Sequence, residues 1–192
     1  HRELHRVDLR QRQMCKETGI AKAGARGTAT AGQAGVSTTG FEGEATADDG
    51  GIALAGNYGK ASASICGLAQ AQDSGTAEAG QYGTAIAGYI GTTITGPEGT
   101  AIAGYLGHAT TKENGVAITR ADGTVMGGMD SVLIIYNHKK KPIVAIVGQN
   151  GIELALGRFA VFGPDRLKTV VAQVDGNQLG NCRLVLDNQY AG

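Results

Sequence analysis

Between residues 19 and 128 small, apolar and polar side chains alternate with a period of two inside a longer period of eight. Counting from Gly19, the second position of each octad is small, as at Ala21, Ala29, Ser37, Ala45, Ala53, Ala61, Thr93 and Ala117. The fourth is small too, as at Ala31, Thr39, Ala47, Ala63, Ala79 and Thr95. Residues two apart on a strand share a face, so each octad predicts a short strand with these residues turned inward. Alanine is a weak strand former. Its repetition reflects a steric demand: a thin core in which two sheets approach more closely than the usual ~10 Å.

The first and third positions face outward, and they differ between successive octads. One set reads Val36 and Thr38, Ile52 and Leu54, Leu68 and Gln70, Thr84 and Ile86, Thr100 and Ile102, Val116 and Ile118. The other reads Thr28 and Thr30, Glu44 and Thr46, Lys60 and Ser62, Thr76 and Glu78, Thr92 and Ile94, His108 and Thr110. The first is largely apolar and the second mostly polar. This alternation predicts a coil of two octads with two flat parallel sheets, one apolar on its outer face and the other wet. Seven such coils would make a rod ~33 Å long at a strand spacing of ~4.8 Å.

Glycine punctuates the pattern at every eighth residue from Gly19 to Gly123. A second glycine stands at the fifth following position in most octads, among them Gly24, Gly40, Gly56, Gly88 and Gly104. It is read as the residue that gives the turn its unusual dihedral. Phe41, Tyr89 and Tyr105 fall at one turn corner and are expected to stack there. A fixed short period marks repeats that are stable only when stacked. The fold class is therefore all-β, a β-solenoid (β-helix) of sixteen-residue two-sheet coils with a C-terminal antiparallel β cap.

The flanks are expected to cover the open strand edges of the rod. Residues 1–18 read as an N-terminal cap, 19–128 as the solenoid and 129–192 as a C-terminal β cap domain. Ser131 to Tyr136 and Ile143 to Val147 are apolar, β-rich runs joined by Asn137-His138-Lys139-Lys140-Lys141-Pro142, a hairpin signature. Further strands are expected over Ile152 to Phe162, Leu167 to Val174 and Cys182 to Leu186.

Composition narrows the function classes. With 17 basic and 17 acidic residues in 192, no global field steers the protein onto nucleic acid. The 32 glycines recur at a period of eight, which excludes collagen. No apolar run is long enough to cross a membrane as a helix. His1 to Arg12 is too polar for a signal peptide. The expected location is the bacterial cytoplasm, or export without a classical signal peptide, and a start at His1 leaves room for an upstream segment. Cys15, Cys66 and Cys182 lack metal-ligand spacing and are expected as reduced thiols.

Little in the chain points to catalysis. Gly56-Asn57-Tyr58-Gly59-Lys60-Ala61 has neither Walker spacing nor a hydroxyl after the lysine. Asp48, Asp49, Asp73, Asp122 and Asp130 lie near turns but do not recur in a calcium-binding repeat. His1, His5, His108 and His138 form no ligand set or triad. Cys182 shares the C-terminal segment with His138, as a nucleophile would need, but is expected as a small buried hydrophobe. No catalytic, metal or cofactor site is predicted.

Two stretches resemble known repeat families. Ala87-Gly88-Tyr89-Ile90-Gly91-Thr92-Thr93-Ile94 and, less closely, Ala103-Gly104-Tyr105-Leu106-Gly107-His108-Ala109-Thr110 resemble the octapeptide of bacterial ice-nucleation proteins. That resemblance implies paired octads in sixteen-residue coils and an ice-organising Thr-X-Thr array. Here that pair survives only as Thr28-Ala29-Thr30. Asp130 to Tyr136 with Val147 to Ile152 resembles the tail of an uncharacterised group of bacterial and phage-associated octad-repeat proteins, which implies the two-part architecture.

Function is expected to follow from the apolar outer face formed by Val36, Ile52, Leu54, Leu68, Thr84, Ile86, Thr100, Ile102, Val116 and Ile118. Contiguous apolar patches of more than a few hundred Å² mark interfaces. The face is expected to be covered by the chain's own cap or by another protein, most economically a second copy in a homodimer. The leading expectation is a non-enzymatic scaffold. The competing ones are an effector or phage-associated protein with an activity in the C-terminal β segment, and an ice-binding protein.

Overall fold

The computed structural model describes residues 12–15, 19–136, 142–148, 151–155, 170–174 and 182–186, with side chains over 19–136 and 142–147. Among the described residues the strands, numbered in chain order, form two ten-stranded sheets. The first sheet stacks β1 (Arg12–Cys15), β3 (Thr28–Ala31), β5 (Glu44–Ala47), β7 (Lys60–Ala63), β9 (Thr76–Ala79), β11 (Thr92–Thr95), β13 (His108–Thr110) and β15 (Thr124–Gly127). The second stacks β2 (Ile20–Lys22), β4 (Val36–Thr38), β6 (Ile52–Ala55), β8 (Leu68–Ala71), β10 (Thr84–Ile86), β12 (Thr100–Ile102), β14 (Val116–Thr119) and β16 (Val132–Tyr136). These strands are parallel, and partners lie one sixteen-residue coil apart, as Arg12 with Thr28 and Thr84 with Thr100. The protein is a two-sheet β-solenoid.

At the C-terminal end the direction changes. β17 (Pro142–Gly148) pairs antiparallel with β16, and β18 (Gly151–Ala155) with β17. In the other sheet β20 (Cys182–Leu186) pairs antiparallel with β15, and β19 (Val170–Val174) with β20. The expected hairpin is thus present as β16 and β17. At the other end β1 continues the parallel stack below Gly19 without a ladder glycine of its own. The remaining parts of the strands expected over 152–162 and 167–174 lie outside the described residues.

The interior is an alanine ladder. Ala29, Ala45, Ala61 and Ala77 from the first sheet and Ala53, Ala69 and Ala85 from the second are completely buried. Such small side chains leave no room for more at the turns. A Cβ built on Gly59 would lie 2.9 Å from the Cβ of Ala55 and 2.8 Å from the carbonyl oxygen of Gly43, one coil back. Toward the C-terminus the core enlarges, with Val125, Leu133, Ile135 and Val147 buried together.

The turns overturn one expectation. The fifth-position glycines do not supply the unusual dihedral. Positive φ falls two residues later, on Arg26, Ala34, Glu42, Tyr58, Cys66, Ser74, Tyr82, Ile90, Glu98, Leu106, Asn114, Asp122 and Asp130, and on glycine only at Gly50. The fifth-position glycines answer a demand for close backbone approach, since a Cβ on Gly56 would meet the Gly40 carbonyl group of the previous coil at 2.7 Å. Most turns are closed by the ladder glycine, as when the Gly59 N–H donates to the Gly56 carbonyl at 3.1 Å. The third residue of such a turn then takes the positive φ that a type II turn requires. The N–H of that residue donates to the coil above, as Tyr58 N–H does to the Asp73 carbonyl at 3.0 Å.

Candidate interaction surface

The outward face of the second sheet collects every residue expected at an interface. Val36, Ile52, Leu54, Leu68, Thr84, Ile86, Thr100, Ile102, Val116 and Ile118 all point outward and are half-buried by their neighbours. They stand in two columns along the rod. In one, Thr84, Thr100 and Val116 lie in register; in the other, Ile86, Ile102 and Ile118 do. Both columns continue beyond the repeat, through Val132 to Ile146 and through Ile134 to Val144. Octad counting reaches Val132 and Ile134, sixteen residues beyond Val116 and Ile118, but not Val144 and Ile146, because β17 joins antiparallel. The alternation within SVLIIY and IVAIV was the available signal.

From Val36 to Ile146 these outward positions carry no charged side chain. Gln70 is the largest polar interruption. It borders a shallow, open groove with Asn57, Gln72, Asp73 and Ile86. The charges lie elsewhere. On the opposite sheet Glu44, Lys60 and His108 are exposed, and Lys60 Nζ lies 3.1 Å from Glu78 Oε2. Thr28 and Thr30 also point outward there, beside Glu44 and Thr46.

One edge of the rod, where the chain passes from the second sheet to the first, continues the apolar surface. The rings of Tyr89 and Tyr105 stack at 6.5 Å between centroids, as expected. Phe41 belongs to a different contact: it meets Tyr58 edge-on at 5.6 Å. Beside the tyrosine stack, Ile90 is 47 % and Leu106 38 % exposed, both at positive φ. Acidic groups tie coils together along the same edge: Arg26 Nε donates to Glu42 Oε2 at 2.6 Å, and the Tyr89 N–H donates to Asp73 Oδ1 at 2.8 Å. On the opposite edge the Tyr82 phenol is held above the usual tyrosine pKa, first by its hydrogen bond to Glu98 and then by that carboxylate's charge.

Candidate chemistry is sparse. Among the described residues no group of three or more His, Cys, Asp and Glu side chains could hold a metal ion. Cys66 is exposed and free, and His108 stands exposed on the polar sheet. The side chains of His1, His5, His138, Cys15 and Cys182 lie outside the described residues. Among the described residues no helix is long and apolar enough to cross a membrane.

The geometry defines a β-solenoid with one polar and one apolar outer sheet. No protein-family model, curated protein or solved structure matches the chain.

Proposed function

We propose that the protein is a scaffold that associates through the outward face of its second sheet, with a second copy of the chain as the occupant. The observation that carries this reading is the uninterrupted lack of charge from Val36 to Ile146, across eight adjoining strands of the second sheet, with Lys22 on β2 beyond them. Such a face favours burial against another apolar surface. A charge-free face is also self-complementary, which a two-fold contact needs. The described C-terminal strands support an external occupant, since β17 and β18 lengthen the sheet rather than cross it.

Size is compatible with a specific contact. The eight uncharged strands at ~4.8 Å, each ~13 Å long, give a face of about 500 Å². Two such faces supply about 1,000 Å², the size at which a specific biological interface begins.

The test is a pair of substitutions at the centre of the face. Ile86→Lys with Ile102→Lys places two charges in the contact while leaving the alanine core untouched. Light scattering should report a wild-type dimer and a monomeric, fully folded variant. A wild type that is already monomeric contradicts self-association, and the same wild type held by a different protein through this face would assign it to another partner.

A further inference from the structure

Ile90 and Leu106 place exposed apolar side chains on turn positions that the coil holds at positive φ. Each stands at positive φ, 55° and 56°, where glycine or asparagine is cheaper and a β-branched residue is an outlier. Each also exposes an apolar side chain. Equivalent turn positions carry residues as different as Arg26, Ala34, Gly50, Ser74, Glu98 and Asn114, so the fold fixes the dihedral and leaves the side chain open. Stacking demands the positive φ but not an exposed apolar side chain on it, and that choice of side chain points to binding.

These two residues do not stand alone. With stacked Tyr89 and Tyr105 at the corner, and Ile86 and Ile102 on the adjoining face, they make one patch two coils high that wraps from sheet to edge. Its place in the sheet is informative. The order of the second sheet is β18-β17-β16-β14-β12-β10-β8-β6-β4-β2, so β10 and β12 are its two central strands. The patch sits at the midpoint of the longest possible overlap. Interface residues that dominate binding cluster near the geometric centre and are enriched in tyrosine.

We infer that the two copies pack with their rods antiparallel, about a two-fold axis that runs along the strands between β10 and β12. This arrangement rests on the self-association reading. A two-fold in that direction sets Ile86 against Ile102 of the second copy and keeps both tyrosine edges on the same side. Tyr89 and Ile90 of one copy then approach Tyr105 and Leu106 of the other. A two-fold along the rod would instead put the tyrosine edge beside the edge that carries Tyr82 and Glu98, and would leave the patch without its like.

Two measurements on the full chain test this. In a background with Cys15, Cys66 and Cys182 replaced by serine, mixed Ile86→Cys and Ile102→Cys chains should join through a bis-maleimide spanning ~10 Å, the separation of packed sheets. Leu54→Cys and Ile134→Cys should join likewise. Ile90→Gly, with its backbone strain relieved, should raise Tm and yet weaken the dimer about tenfold; a purely structural residue would not move the two in opposite directions. Efficient linkage of Thr100→Cys to Ile102→Cys, or a dimer undiminished by Ile90→Gly, would overturn this arrangement while leaving self-association standing. A monomeric wild type would overturn both.

Discussion

At the scale of single residues, the coil is governed by what cannot fit. Gly59 closes its turn against the Cβ of Ala55 and the carbonyl of Gly43, both under 3.0 Å from any added Cβ. Gly59→Ala should therefore cost ~2–3 kcal/mol in urea unfolding, as overpacking does. Ser37 shows the opposite defect. Its hydroxyl is fully buried with no hydrogen-bond partner among the described residues, at a position that alanine fills in most coils. Ser37→Ala should stabilise by about 1 kcal/mol, because an unpaired buried hydroxyl is removed without changing the packing. The glycine ladder and the alanine interior were legible in the sequence, since each is a repeated residue type. The positive φ was not, because Arg26, Tyr58, Ile90 and Asp122 share no chemistry. Stacking imposes it, through an N–H that must reach the coil above.

Individual strands and edges are set by contacts one coil apart. The carboxylate of Asp73 stands in for a backbone acceptor when it receives the Tyr89 N–H. Asp73→Ala should destabilise by about 1 kcal/mol, and Asp73→Asn, which keeps an acceptor oxygen, should recover most of it. Across the rod, Glu98 raises the Tyr82 pKa. Glu98→Gln should bring that phenol back toward the ordinary value, read from its ring signals in an alkaline NMR titration. Since the fold favours the protonated phenol, any stability from this pair is present below the ordinary tyrosine pKa and is lost as pH rises through the raised one. The edge stack of Tyr89 on Tyr105 could be read from their sixteen-residue spacing. Phe41 could not be placed, because Tyr58 reaches it from the next position of a neighbouring turn. β1 was hidden for a related reason: Gln13 and Cys15 stand where other octads carry small residues.

Across the whole molecule, the inequality of the two outer faces was visible in the alternation of octads, and the sheets follow it strand for strand. The sequence did not reveal how far the apolar face extends, since Val144 and Ile146 reach it through an antiparallel pairing that lies outside the repeat. That extension moves the midpoint of the sheet onto β10 and β12, which adjoin the stacked Tyr89 and Tyr105 and the exposed Ile90 and Leu106. An interface built on uncharged side chains should be insensitive to screening. The most direct measurement is sedimentation equilibrium of the intact protein at low and at high salt. The account predicts a mass twice the 19.5 kDa of one chain in both. A single-chain mass at every concentration, or a dimer that salt dissolves, would contradict it.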